Sequence, residues 1–281
     1  MIAALVCATN FSFLRGASHP DEMVLTAQVQ GYGAVGIADR NTLAGVVRAH
    51  VAAKEAGMKV LIGARLVTQD GFEVAAFPQD RAAYARLTRL LTLGNRRAPK
   101  GECWLSTDDI LAHAEGQALI LIPPAQLNEA WKTQAEAFAR ALHTAPEKPA
   151  GIWTGMTRGF SGGDGARLHR LAQLGEAWRA PGAAIADALY HAPDRRPLQD
   201  VLTCVREKTT IDAAGRRLEM NAERHLKPPA ELARLFAEHP EAVARTAEIA
   251  AAVDFSLSEL AYQYPDEILN PGETPIDTLT R

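Results

Sequence analysis

Chemistry at the end of a β-strand needs a side chain that can hold a proton, attack a carbon or phosphorus centre, or ligate a metal. The strand-helix rhythm of this chain delivers few such groups. At the strand ends it places Val6-Cys7-Ala8, Asp39-Arg40 and, near the end of the last, Asp187. In parallel α/β folds, ligands gather at those ends. Asp39 and Asp187 could serve as bases or cation ligands, and Cys7 could serve as a nucleophile only where its thiolate is favoured. Between apolar neighbours on a strand, Cys7 reads as a buried core thiol. Val6 and Ala8 offer no donor atoms, and Arg40 stays protonated and repels a divalent cation. The eight histidines never stand in His-x-His or His-x-x-x-His spacing. They read as surface or capping residues, with His191, two positions past Leu189, the best candidate for a pocket mouth.

The elements that position these residues follow from periodicity and turn chemistry. A β-prone run over 2–8 stops at Thr9-Asn10, and Ser18 reads as the cap of a helix with Pro20, Asp21 and Glu22 in its first turn. A strand at 34–38 presents Asp39, Asn41 or Thr42 opens the next helix, and Gly57 closes it. Residues 58–67 form a third strand, and Asp70-Gly71 turns it into a hairpin with 72–77. A helix over 79–92, a loop over 93–101 and a helix from Ser106 or Thr107 precede a buried strand at 118–122. A helix over 127–143 and a short strand at 152–154 follow. Then come a glycine-rich linker with Ser161 and Asp164, a helix over 166–178, and a last core strand at 183–188 that carries Asp187. Beyond Arg195 the pattern is helical, and it becomes irregular after Leu260. Alternation of this kind predicts a β/α barrel in preference to an open doubly wound sheet.

Composition excludes some classes. At 281 residues, 47% of them hydrophobic, the chain can bury one large core. A net charge of -3 gives no global attraction to nucleic acid. Three scattered cysteines make neither a disulfide framework nor a metal clip, which suits a cytoplasmic location, and no apolar run is long enough to span a membrane.

Three blocks carry a resemblance. They are Asn10-Phe11-Ser12-Phe13-Leu14-Arg15-Gly16-Ala17-Ser18-His19-Pro20, Leu43-Ala44-Gly45-Val46-Val47-Arg48-Ala49-His50, and Lys54-Glu55-Ala56-Gly57. Arg195-Arg196-Pro197-Leu198-Gln199-Asp200-Val201-Leu202-Thr203, Asn221-Ala222-Glu223-Arg224-His225-Leu226 and Tyr264-Pro265-Asp266-Glu267 extend it along the whole chain. Together they closely resemble the start of bacterial C-family error-prone DNA polymerases. The resemblance implies a polymerase and histidinol phosphatase (PHP) domain, a distorted, TIM-barrel-like β/α barrel over residues 1–259. It makes 260–281 a linker toward polymerase domains that would carry the magnesium-dependent nucleotidyl transfer. Relatives of this domain bind up to three metal ions at the strand ends.

By the same resemblance, the ligand positions can be matched one at a time. A His-x-His of active relatives falls on Val6-Cys7-Ala8, an Asp-His pair on Asp39-Arg40, a bridging glutamate on Arg65, and an Asp-x-His on Asp187-Ala188-Leu189. Five ligand positions are therefore lost, and Asp39 and Asp187 remain. A zinc site needs several nitrogen, oxygen or thiolate donors at about 2.0 to 2.3 Å, which these side chains do not supply. The expectation is a domain without a metal or other cofactor of its own and without catalytic residues, in which Arg40 and Arg65 either pair with Asp39 and Asp187 or point into solvent. Its partners would be the remaining polymerase domains, with DNA and other proteins of a mutagenic repair assembly as further candidates. The basic stretch after Asp80 supplies Arg89, Arg96, Arg97 and Lys100 for contact with DNA or a neighbouring domain, although no aromatic side chain interleaves the loop itself. The competing reading is a metal-dependent phosphoesterase or proofreading exonuclease with a site rebuilt from Asp39, Asp187, His191 and Cys7.

Overall fold

A computed structural model describes residues 1–160 and 162–260, together with Ile276 and Thr280. The expected linker, the Tyr264-to-Glu267 segment and Ser161 lie outside the described residues.

Seven strands form one sheet in sequence order: β1 (Ala3–Cys7), β2 (Ala34–Arg40), β3 (Lys59–Val67), β4 (Glu73–Pro78), β5 (Gln117–Ile122), β6 (Gly151–Met156) and β7 (Gly182–Ala184). All neighbours pair in parallel except β4, which runs antiparallel to both β3 and β5. Between the strands lie α1 (Pro20–Val29), α2 (Val46–Ala56), α3 (Arg81–Arg97), α4 (Thr107–Ala112), α5 (Glu129–Thr144) and α6 (Asp164–Ala177). Four more helices follow: α7 (Arg196–Glu207), α8 (Ile211–Ala214), α9 (Pro229–Leu235) and α10 (Pro240–Ala252). The sheet curls into a distorted, nearly closed barrel, as the sequence predicts. Among the described residues, no helix is long and apolar enough to cross a membrane.

Strand alternation sorts the core into two layers. Ala34, Ala38, Leu61, Ala75, Phe77, Ala118, Ile120 and Ile122 belong to an inner cluster with Ile249, Ala250 and Val253 of the α10 end. Val35, Ile37, Ile62, Ala64, Val74, Ala76, Leu119 and Leu121 join the outer cluster beneath the helices. Phe77 fills the interior because Gly63 leaves room for it; a Cβ there would stand 2.4 Å from the ring. By the same alternation, Arg40, Arg65 and Glu73 share the inward set and reach the barrel mouth together.

Closure between the first and last strands uses few bonds. The backbone N–H of Ala186 donates to Leu5 O at 3.0 Å, and that of Ala8 donates to Ala188 O at 2.9 Å. At the opposite end of β1, Ala3 N–H donates to the buried Thr246 hydroxyl of α10 at 3.1 Å, and that hydroxyl donates onward to Val243 O.

Local structure departs from the sequence reading at four places. His19, not Ser18, is the N-cap of α1, where its N–H donates to the Glu22 carboxylate. The second helix starts at Val46 because Asn41 turns into the left-handed region at φ 51 and clasps Val67, accepting from its N–H and donating to its carbonyl. α3 runs on to Arg97, since Gly94 is a close-packing position against Cys103 and Leu105 and not a stop. The last strand ends at Ala184, after which the chain crosses toward β1, so Asp187 sits in irregular backbone beyond the strand, at φ 44.

The seam gives a test of closure. Thr246→Val keeps the side-chain shape and strips the buried Ala3 N–H of its acceptor, a loss that costs about 1–3 kcal/mol. Urea unfolding is expected to show that loss with an unchanged denaturant slope.

Candidate functional site at the barrel mouth

Arg65 organises the mouth. Its Nε donates to Glu73 Oε2 at 2.6 Å, and its Nη1 donates to Asp187 Oδ1 at 2.6 Å. Burial opposes the charge on this guanidinium, but Asp187 and Glu73 together outweigh it and hold the group above its ordinary pKa. Arg224 reaches Asp187 from the other side, with Nη2 2.9 Å from Oδ2 and Nε donating to the Asp187 carbonyl at 2.9 Å. Arg40 stands 3.6 Å from the second oxygen of Glu73. Three arginines thus surround two carboxylates, and both Asp187 oxygens are occupied.

Asp39 corrects the expectation that it too pairs with an arginine. It is fully buried, and its oxygens accept from Thr9 N–H at 2.7 Å, the Ser12 hydroxyl at 2.6 Å and the Thr9 hydroxyl at 2.7 Å. β-Strand alternation explains the difference, since Asp39 belongs to the helix-facing set and Arg40 to the inward set. Burial raises the Asp39 pKa, and the donors from Ser12 and Thr9 offset this only in part. Arg40 instead takes Glu73, a partner absent from the sequence reading, as was Arg224. Glu73 was discoverable in principle: its hairpin register opposite Val67 puts it on the Arg65 face.

The residues of the competing hydrolytic reading do not assemble. Cys7 is buried, and burial first, then Asp187 and Asp39, push its thiol up to about 12, so it is not a thiolate. His191 turns to the rim, with Nδ1 2.8 Å from the Ser18 hydroxyl and 3.8 Å from Glu22. Among the described residues, no three His, Cys, Asp or Glu side chains converge on a point where a metal ion could sit. The metal that the resemblance implies does not fit these residues, because a guanidinium occupies the space between the carboxylates and Val6, Ala8 and Leu189 donate nothing. The backbone at two of these positions is nonetheless unusual. Val6 lies at φ 62 and Asp187 at φ 44, conformations that cost an L-residue energy and that cluster at functional sites.

Arg65, Glu73, Asp187 and Arg224 border a cleft of about 570 Å³ that is also lined by Arg158, Arg167 and Lys227. The basic stretch on α3 divides. Arg97 is bound to Asp109 at 2.7 Å, Arg89 and Arg96 are exposed on the helix, and Lys100 lines a separate groove. Trp104 lines that same groove, so an aromatic ring does stand next to the basic loop.

A family model described as the PHP domain matches residues 5–138. The error-prone DNA polymerase of Rhodopseudomonas palustris (strain BisB5) is 53% identical over 97% of this chain and 24% of its own length. Those of Caulobacter vibrioides and Brucella abortus are 49% and 48% identical, over 99% and 96% of this chain and 25% of each relative. The chain therefore spans about a quarter of the length of the curated relatives it matches. Among solved structures, an amidohydrolase from Chromobacterium violaceum aligns with a TM-score of 0.46 at 14% identity, covering 66% of this chain and 85% of that one.

Because burial raises the Asp39 pKa, the site's stability is expected to depend on pH. A carboxyl whose pKa is raised in the fold contributes stability that is fully present below the unfolded value of about 4 and is lost as pH rises through the folded value. Asp39→Asn cannot ionise, so its stability relative to wild type is expected to increase with pH from about 4 upward and then level off. Thermal melts across that range check this; a gap moving the opposite way would mean the Thr9 and Ser12 donors hold Asp39 ionised.

Proposed function

We propose that this chain, which belongs to the PHP domains found in bacterial error-prone DNA polymerases, serves its polymerase as a structural domain that does not hydrolyse phosphoesters. The observation that carries this reading is the Arg65 guanidinium seated between Glu73 and Asp187, the place where a cation would otherwise bridge carboxylates. Metal-assisted hydrolysis needs a Lewis acid that lowers the pKa of its bound water. A fixed guanidinium balances carboxylate charge but accepts no water lone pair, and it leaves neither Asp187 oxygen free to act as a base. The five positions Val6, Ala8, Arg40, Arg65 and Leu189 are then a degenerate metal site, with Asp39 and Asp187 retained for packing and charge balance.

In this reading the fixed-charge barrel braces the other domains of the same polymerase, which carry out DNA-templated nucleotidyl transfer with magnesium during damage-tolerant synthesis. The identity of 48–53% to error-prone DNA polymerases over nearly the entire chain supports that parent role.

The purified chain is expected to release no product from bis-p-nitrophenyl phosphate or from the 3′ end of labelled single-stranded DNA when manganese or zinc is supplied. Turnover that EDTA abolishes and that Asp187→Asn removes would overturn the reading in favour of a rebuilt hydrolytic site.

A further inference from the structure

Beside the cleft lies a second concavity that shares no lining residue with it. It is a groove of about 880 Å³ bordered by the loops that follow β1 and β2, the segment after α3, and α7. Four cations line it, Arg15, Arg40, Lys100 and Arg206, and among its described lining residues the one acid is Glu102. That carboxylate is engaged by Trp104, whose indole N–H donates to it at 2.8 Å.

The arginines are crowded beyond what their partners balance. Arg206 bonds to Glu207 and to the Leu14 carbonyl, and Arg40 holds Glu73 only at 3.6 Å. Arg15 is half-buried and has no ion pair or side-chain hydrogen bond among the described residues. Burial, then the charges of Arg40 and Arg206, pull its pKa down to about 10. Guanidinium groups gathered in this way repel each other where water is partly excluded, and an anion is the complement such a cluster lacks. Adjacent Leu14 is held at φ 57, a strained conformation of the kind found at ligand clamps.

Three aromatic rings stand with the cations, Phe11, Phe13 and Trp104. Phe13 is 79% exposed and Trp104 is 38% exposed, and both line the groove. Cations that can neutralise phosphates, next to ring faces open to solvent, match the recognition of single-stranded nucleic acid, whose unpaired bases stack on aromatic side chains. A duplex hides those base faces. We infer that this groove binds a short single-stranded stretch of nucleic acid, with phosphates on Arg15, Arg40, Arg206 and Lys100 and bases stacked on Phe13 and Trp104. The inference rests on the groove alone and is independent of whether the neighbouring cleft hydrolyses anything.

Fluorescence anisotropy with the 281-residue chain and a labelled oligo-dT of about 12 nucleotides tests it. Saturable binding is expected, with log affinity falling against log salt at about -0.7 per phosphate, or roughly -2 to -3 for three or four contacts. Arg15→Ala should weaken binding several-fold and make that slope shallower. Trp104→Ala should weaken it about tenfold and leave the slope unchanged. Phe13→Ala removes a largely exposed ring, so it repeats the stacking test without disturbing the core. Arg234→Ala, on the exposed side of α9, should change nothing. No saturable binding at low salt, equal affinity for a duplex of the same length, or indifference to both ring substitutions would overturn the proposal.

Discussion

The barrel mouth depends on one guanidinium held between two carboxylates. Arg65 lies at the end of β3, Glu73 at the start of β4 and Asp187 in the irregular backbone past β7, so the pairs join the hairpin to the segment that closes the barrel against β1. All three side chains are mostly buried. Taking such charges out of water is costly, and their mutual attraction offsets that cost only while every partner is present. Arg224 completes the arrangement by covering the second oxygen of Asp187. The result is a fixed-charge clamp whose geometry is set by strand register.

The two retained aspartates show different ways of keeping a carboxylate in a low-dielectric place. Asp187 is held by opposite charge, from Arg65 and Arg224. Asp39 is held by three hydrogen-bond donors from the loop after β1, and among the described residues no cation pairs with it. That loop contains Phe11 to Ala17, the stretch that also supplies Arg15 and Phe13 to the groove. Asp39 therefore fixes the shape of a loop whose outer side carries the groove's cation and ring, and the buried and exposed chemistry of this end of the barrel share one support.

Much of the fold was legible because it is written locally. Runs such as 59–67 and 117–122 alternate or fill with apolar residues, and Asp70-Gly71 marks the hairpin that turns β3 into β4. The family resemblance was legible as well, since its blocks recur from Asn10 to Leu226. What local pattern could not show was partner choice. Arg40 and Asp39 are neighbours in sequence, yet the pleat sends them to opposite faces of the sheet, so the adjacent acid is not the partner. Glu73 becomes the partner only once the hairpin register is known, and Arg224 only once a distant loop has returned to Asp187. Asn41 and Asp187 misled for a related reason. Each reads as an ordinary cap or strand residue, and its tertiary contacts decide otherwise.

A double-mutant cycle between Arg65 and Asp187 most directly tests the claim that fixed charge joins these strand ends. Arg65→Met, Asp187→Asn and the double variant would be unfolded in denaturant alongside wild type. The account predicts a coupling of about 1–3 kcal/mol, with the double variant losing clearly less than the sum of the singles, because each single change strands a buried charge. Additive losses, or single variants as stable as wild type, would contradict it.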